Sequence, residues 1–161
     1  MDVITWSRVG GCVAAALLVA STASGCALTI PTDPDGTLEA ARGDVLRVGA
    51  SPAEGLVSVA GEEVTGPLAN AIEGFASSID ARVQWSVDGE EDLVDDLVGG
   101  QLDLAIGGMT DQTLWATEVS VTRGYPDFPG ADGAAVVVLL PMGENALQSA
   151  LESYLDEEYG S

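Results

Sequence analysis

Histidine and lysine are absent from this 161-residue chain, and five arginines are its only cationic side chains against 26 carboxylates. Losing histidine removes the commonest general base and the commonest transition-metal ligand. A formal net charge of −21 argues against nucleic acid as a partner, because nothing here could neutralise phosphates. It argues equally against polybasic adsorption on anionic lipid. The charge either serves solubility, as in a saline habitat, or steers cationic solutes toward the protein. Aromatic residues make up only 5% of the chain, so a core must come from Val, Leu, Ile and Ala, which a 47% apolar content supplies. One domain is expected at this length. Cysteine is scarce too. Cys12 lies inside an apolar run and is lost if that run is cleaved, which leaves Cys26 alone with no partner for an intramolecular disulfide.

The N-terminal residues read as a targeting segment. Arg8 gives a weakly positive start, Val9–Ala20 is an apolar stretch too short for a comfortable membrane span, and the small residues Ser21–Gly25 follow. Ala23-Ser24-Gly25-Cys26 resembles a bacterial lipobox, which implies lipidation of Cys26 and a signal peptide over 1–25; the alternative is an ordinary cleaved signal with an incidental cysteine. Residues 26–43, with Pro31, Pro34 and scattered acids, read as a tether. A folded α/β domain is expected over 44–158.

Within that domain Val45–Ala50 reads as a strand, followed by a Pro- and Gly-bearing loop in which Leu56–Val59 forms a short extended stretch. Leu68, Ile72, Phe75 and Ile79 recur at helical spacing after Pro67, which suits a first helical turn. Val83, Trp85 and Val87 alternate on a second strand. Glu90, Glu91 and Asp92 then open a helix whose buried stripe is Leu93, Val94, Leu97 and Val98, stopped by Gly99-Gly100. Leu102–Gly108 is the third strand. The β-α-β-α-β order predicts a parallel sheet with right-handed crossovers and the first strand between the second and third. Thr117–Thr122 reads as a shorter strand. The apolar run Ala134–Pro141 suits a buried central strand, and a last helix buries Leu147, Leu151, Tyr154 and Leu155.

The loop after the third strand, Gly107-Gly108-Met109-Thr110, sits where open α/β sheets receive ligands. Its two glycines admit either a ligand-cradling role or a tight turn with positive φ. Together with "LRVGAS-P", "E-x-L-V-x-x-L-x-x-G-x-L-D-L", "V-S-V-T-R-G-Y" and "VVVLLPMGENALQSAL", in that order and spacing, "G-G-M-T" resembles the extracytoplasmic solute-binding proteins of ABC importers, of the polar amino-acid type. The resemblance covers about 110 residues. It implies a single Rossmann-like lobe of the type 2 periplasmic-binding-protein fold, with a mostly parallel sheet flanked by helices. It implies a ligand site formed by Ser51, Gly107, Gly108, Met109, Thr110 and Trp115, and it makes a permease or a sensor the natural membrane partner.

Two departures from that family pattern stand out. Only eight residues, 126–133, occupy the place where the family inserts a second lobe. Trp115 stands where the family has the arginine that clamps an α-carboxylate. Trp115 is either a stacking platform or a core plug. The acidic group Glu90, Glu91, Asp92, Asp95 and Asp96 lacks the spacing of a calcium loop and reads as a solvated helix face. Nothing pairs a nucleophile with a base, so binding rather than catalysis is expected, with no cofactor and no metal. The expected protein is an extracytoplasmic, membrane-anchored lipoprotein that weakly binds a small solute such as an amino acid or amine. The alternative is a non-transporting sensor or interaction module. A homodimer closing the open shelf would be a natural way to restore a cleft.

Overall fold

The central strand grows from VLRVGA, whose Leu46, Val48 and Ala50 point to one face and are fully buried. In a computed structural model of the chain, which describes residues 33–160, the elements run α1 (Thr37–Ala41), β1 (Val45–Ala50), β2 (Ser58–Ala60), β3 (Glu63–Thr65), α2 (Pro67–Ser78), β4 (Arg82–Val87), α3 (Glu90–Val98), β5 (Leu104–Ile106), a 3₁₀ turn (Leu114–Thr117), β6 (Ser120–Val121), β7 (Leu139–Leu140) and α4 (Asn145–Tyr159). The five-stranded sheet has the order β4-β1-β5-β7-β6, and β2 and β3 form a separate hairpin. β1 lies between β4 and β5 and is parallel to both, as the β-α-β-α-β pattern requires.

The buried run Val136–Leu140 enters antiparallel to β5 and to β6, so the sheet is mixed at that side. An all-apolar run carries no direction, and its alternation is still readable: Val136, Val138 and Leu140 join the larger core, and Val137 and Leu139 the smaller. The larger core is covered by α1, α2 and α4, while α3 and the 3₁₀ turn cover the smaller one. Phe75 of α2 packs on Tyr154 of α4 at 5.9 Å between ring centroids.

Four expectations need correction. The strand expected over Thr117–Thr122 is ordered only over Ser120–Val121, because Leu114–Thr117 forms the 3₁₀ turn. Val98 is 63% exposed, because α3 ends there and Gly99-Gly100 turns the chain away before the stripe is completed. The expected third strand is ordered as a strand only over Leu104–Ile106, with Asp103 held beside it: its carboxylate accepts from the Arg47 amide at 2.8 Å and pairs with the Arg47 guanidinium. The tether reading of 26–43 does not hold over 37–41, where α1 buries Leu38 and Ala41 in the larger core.

The entry of the chain is clasped to the start of α4. Glu144, 1% exposed, accepts hydrogen bonds from the Asp35 amide (3.2 Å) and the Thr37 amide (3.4 Å), and Asp33 accepts from the Leu38 amide (3.1 Å). The connection between β6 and β7 is anchored as well. Phe128 is buried against Tyr159 at 4.7 Å between centroids, and Gly130 lies against the Gly55 backbone so closely that a Cβ would collide with the Gly55 carbonyl. Arg123 pairs with Glu152 and Asp156 of α4, and the Tyr125 hydroxyl donates to Asp156 at 3.2 Å. Residues 126–133 thus complete a connection that is anchored on both α4 and the β1–β2 loop. No helix among the described residues is long and apolar enough to cross a membrane. Cys26 and the expected signal segment 1–25 lie outside the described residues.

Candidate functional site

The parallel register Ala50↔Val87 and Ala50↔Ile106 brings Ser51, Asp88 and Gly107 to one sheet edge. Ser51 is only 5% exposed; its amide donates to the Ile106 carbonyl at 2.9 Å, and its Oγ is buried without a hydrogen-bond partner. Neither Gly107 nor Gly108 has positive φ. Gly107 is instead demanded by contact, since a Cβ there would collide with Ser51 Oγ and lie 3.1 Å from Met109 Sδ. Gly108 is exposed, and a Cβ there would make ordinary contacts with Ala53 and Glu90. The positive-φ reading of this pair is therefore corrected.

Two carbonyls of the loop are engaged, while its amides are left without acceptors. Met109 O accepts from the Val137 amide at 3.1 Å and Thr110 O from the Thr113 amide at 2.9 Å. The successive amides of Gly107, Gly108, Met109 and Thr110 donate to no protein acceptor among the described residues. Amides left without an internal acceptor are available to donate to an oxyanion. Thr110 Oγ1 accepts from the Gln112 amide at 3.4 Å, and Thr113 Oγ1 caps the 3₁₀ turn by accepting from the Trp115 amide at 3.4 Å.

Outward of this loop lies a depression of about 440 Å³, lined by Glu90, Gly108, Met109, Thr110, Gln112, Thr113, Leu114, Trp115 and Glu118. Gly108, Met109, Thr110 and Trp115 are thus brought together. Ser51 and Gly107 are not part of the lining and lie behind it. Trp115 is half-buried, packed on the smaller core and facing the depression, so both roles allowed by the sequence are combined in one ring. Met109 is 4% exposed and belongs chiefly to the smaller core.

Glu90, Gln112, Thr113, Leu114 and Glu118 are the lining residues that sequence reasoning misses as site members, and the two glutamates bring the charge. Glu90 is legible only as an acid complementing a helix dipole, and Glu118 sits in no motif. The acids around the start of α3 crowd one another: the charge of Asp88, with desolvation, its hydrogen bond and the charges of Glu91 and Asp95, raises Asp92 above the ordinary carboxylate range. Glu90, Glu91, Asp92 and Asp95 are exposed, and among the described residues no group of three metal-ligating side chains converges. Arg123 is not part of the depression, being engaged on α4.

No family model matches the chain, and no curated protein matches it. Solved structures do. A single-substitution variant of domain 1 of TmArgBP, the arginine-binding protein of T. maritima, in its arginine-bound form superposes with a TM-score of 0.63 at 20% identity, covering 77% of this chain and 96% of that one. The same domain without that substitution gives 0.60 at 20% identity, covering 70% and 92%. A Salmonella typhimurium periplasmic binding protein of high arginine specificity gives 0.61 at 10% identity, covering 73% and 94%. The fold is therefore that of one periplasmic-binding-protein lobe: a mostly parallel α/β sheet flanked by helices.

Proposed function

We propose that this chain is a one-lobe solute-binding domain for an amino acid with a cationic side chain, held at the cell surface by lipid on Cys26. The observation that carries the reading is the set of unpaired amides on Gly108, Met109 and Thr110, residues that line a depression together with Glu90, Glu118 and Trp115. The amides and the Thr110 hydroxyl suit a carboxylate. The two glutamates suit a distal positive charge, and the indole offers a face on which a guanidinium can stack. The arginine named for the superposing proteins has that pairing of charges.

One wall and no guanidinium clamp leave much of the ligand in water, whereas enclosed sites bury 70–90% of it. The affinity expected is micromolar or weaker, about −8 kcal/mol or less favourable. Calorimetry against arginine, lysine, glutamate and betaine tests the reading. Heat with the two cationic amino acids, absent from Trp115→Ala, supports it; no heat with any of the four sinks it. The anchor is tested separately by mass spectrometry of the native N-terminus. A thioether-linked, multiply acylated Cys26 is expected, because one chain binds membranes only marginally, and an unmodified terminus near Ala23 or Ser24 would refute it.

A further inference from the structure

Three of the four large apolar side chains that stand out from the described surface lie on one flank. Val98, Leu114 and Met142 are 63%, 87% and 58% exposed. Val98 and Met142 line a recess of about 300 Å³ beside the amino ends of β1 and β5, and Leu114 lines the depression at the opposite sheet edge. Glu118 lines both, so the two recesses share a wall and the apolar groups follow one continuous track. Met142 Sδ is also approached by Ser120 Oγ at 3.7 Å. Single exposed apolar residues are ordinary on a monomer; an aligned set marks an interaction surface. The track also lies over the smaller core, the side of the sheet protected by just α3 and the 3₁₀ turn.

The charge on this flank selects the occupant. Asp35, Glu90 and Glu118 border the recesses. The one cation present, Arg47, is spent internally on the Asp103 carboxylate and, at 2.7 Å, on the Gly100 carbonyl. A second copy would set Glu90 and Glu118 against their own kind in a chain of net charge −21, and an anionic bilayer would repel the same groups. Interfaces bury an apolar centre inside a polar, charge-complementary rim.

We propose that the flank formed by α3, the 3₁₀ turn and the β7–α4 turn docks a basic protein segment carrying exposed aliphatic side chains. Three labelled peptides of matched length test it by fluorescence anisotropy on the whole chain: one alternating Arg and Leu, one with Ser replacing Leu, one with Glu replacing Arg. The Arg/Leu peptide is expected to bind. Leu114→Ser and the Val98→Ser/Met142→Gln pair should each weaken it about tenfold, the scale of losing a buried aliphatic anchor. Glu118→Gln should weaken it several-fold and flatten its salt dependence. Val87→Ser and Glu62→Gln, which make the same chemical changes off the flank, should leave it unchanged.

Equal binding of the Arg/Ser peptide, or equal losses from the two off-flank variants, would reduce the interaction to non-specific charge attraction and overturn the proposal. So would a concentration-dependent dimer in sedimentation that Leu114→Ser abolishes. All four apolar positions are exposed, and circular dichroism checks that the variants fold. The track takes in the solute depression through Leu114 and Glu118, and the Val98→Ser/Met142→Gln pair, which lies outside that depression, separates the two readings: it should lose the peptide and keep the arginine heat.

Discussion

Replacing Asp33 by asparagine should stabilise this protein at neutral pH and remove a pH dependence that the native chain carries. The Asp33 and Glu144 carboxyls lie together where α1 meets the start of α4, with Glu144 1% exposed and Asp33 Oδ1 buried with no donor directed at it. Burial first, then the hydrogen bond to Glu144 and its charge, lift Asp33 from 3.8 to about 6, against the opposing pull of the Leu38 amide. Burial pushes Glu144 upward as well, but hydrogen bonds from Asp33 and from the Asp35 and Thr37 amides outweigh it and hold Glu144 below the ordinary carboxylate range.

A carboxyl raised in the folded state binds its proton there before it does in the unfolded chain. Its contribution to stability therefore grows as pH falls from about 6 toward 3.8 and is lost as pH rises through about 6. A shift of that size corresponds to about 3 kcal/mol at 1.36 kcal/mol per unit; because Asp33 is only half-buried, solvent screening reduces this to about 1 kcal/mol. In the Asp33→Asn variant the side-chain amide would donate to Glu144 at every pH, and its oxygen would still accept from the Leu38 amide. Urea denaturation of both proteins at steps between about pH 4 and pH 8 reads the difference, which cancels the titration of the other acids. The variant should lead by about 1 kcal/mol above neutrality, with the gap closing toward pH 4. A gap that does not change with pH, or a variant less stable throughout, would refute the raised Asp33 carboxyl.

The remaining expectations are simpler. Ile72→Ala and Leu97→Ala, at 0% and 1% exposure in the two cores, should each cost about 2–5 kcal/mol in denaturant midpoints. Arg47→Ala strips the guanidinium from Asp103, itself 3% exposed; a loss of about 2 kcal/mol is expected, with Asp103→Asn/Arg47→Ala milder than the single change because no buried charge is stranded. Gly107→Ala should lower the thermal midpoint by forcing a Cβ onto Ser51 Oγ. Ser51→Ala should restore most of that loss, a coupling of about 1 kcal/mol in a double-mutant cycle.

The elements that repeat on themselves are legible in the sequence. The four-three-four spacing of Leu68, Ile72, Phe75 and Ile79 marks α2, and the sequential parallel hydrogen-bonding of β1 with β4 and β5 follows from the crossover rule. What escapes is non-local. The partner that clasps Asp35 lies 109 residues away, so Leu38 and Ala41 resemble tether residues until α4 is placed beside them. The orientation of β7 escapes because Val136–Leu140 has the same apolar character read in either direction. The loop Gly107–Thr110 is found by motif, yet which of its neighbours reach solvent is not: Ser51 looks like a site residue in sequence and is sealed behind Gly107 in the fold. Glu118 comes in with the 3₁₀ turn, whose position no periodic pattern announces.

The short, anchored connection through Phe128 and Gly130 has a kinetic meaning. On the proposed reading, a solute meets an open shelf within this domain, so departure would be set by the strength of the contacts alone. With a micromolar dissociation constant and an association rate of about 10⁷ M⁻¹s⁻¹, a bound molecule stays for about 0.1 s. Occupancy would then follow the outside concentration almost instantly. That behaviour fits a reporter or a rapid-exchange reservoir better than a trap that holds its cargo until collected.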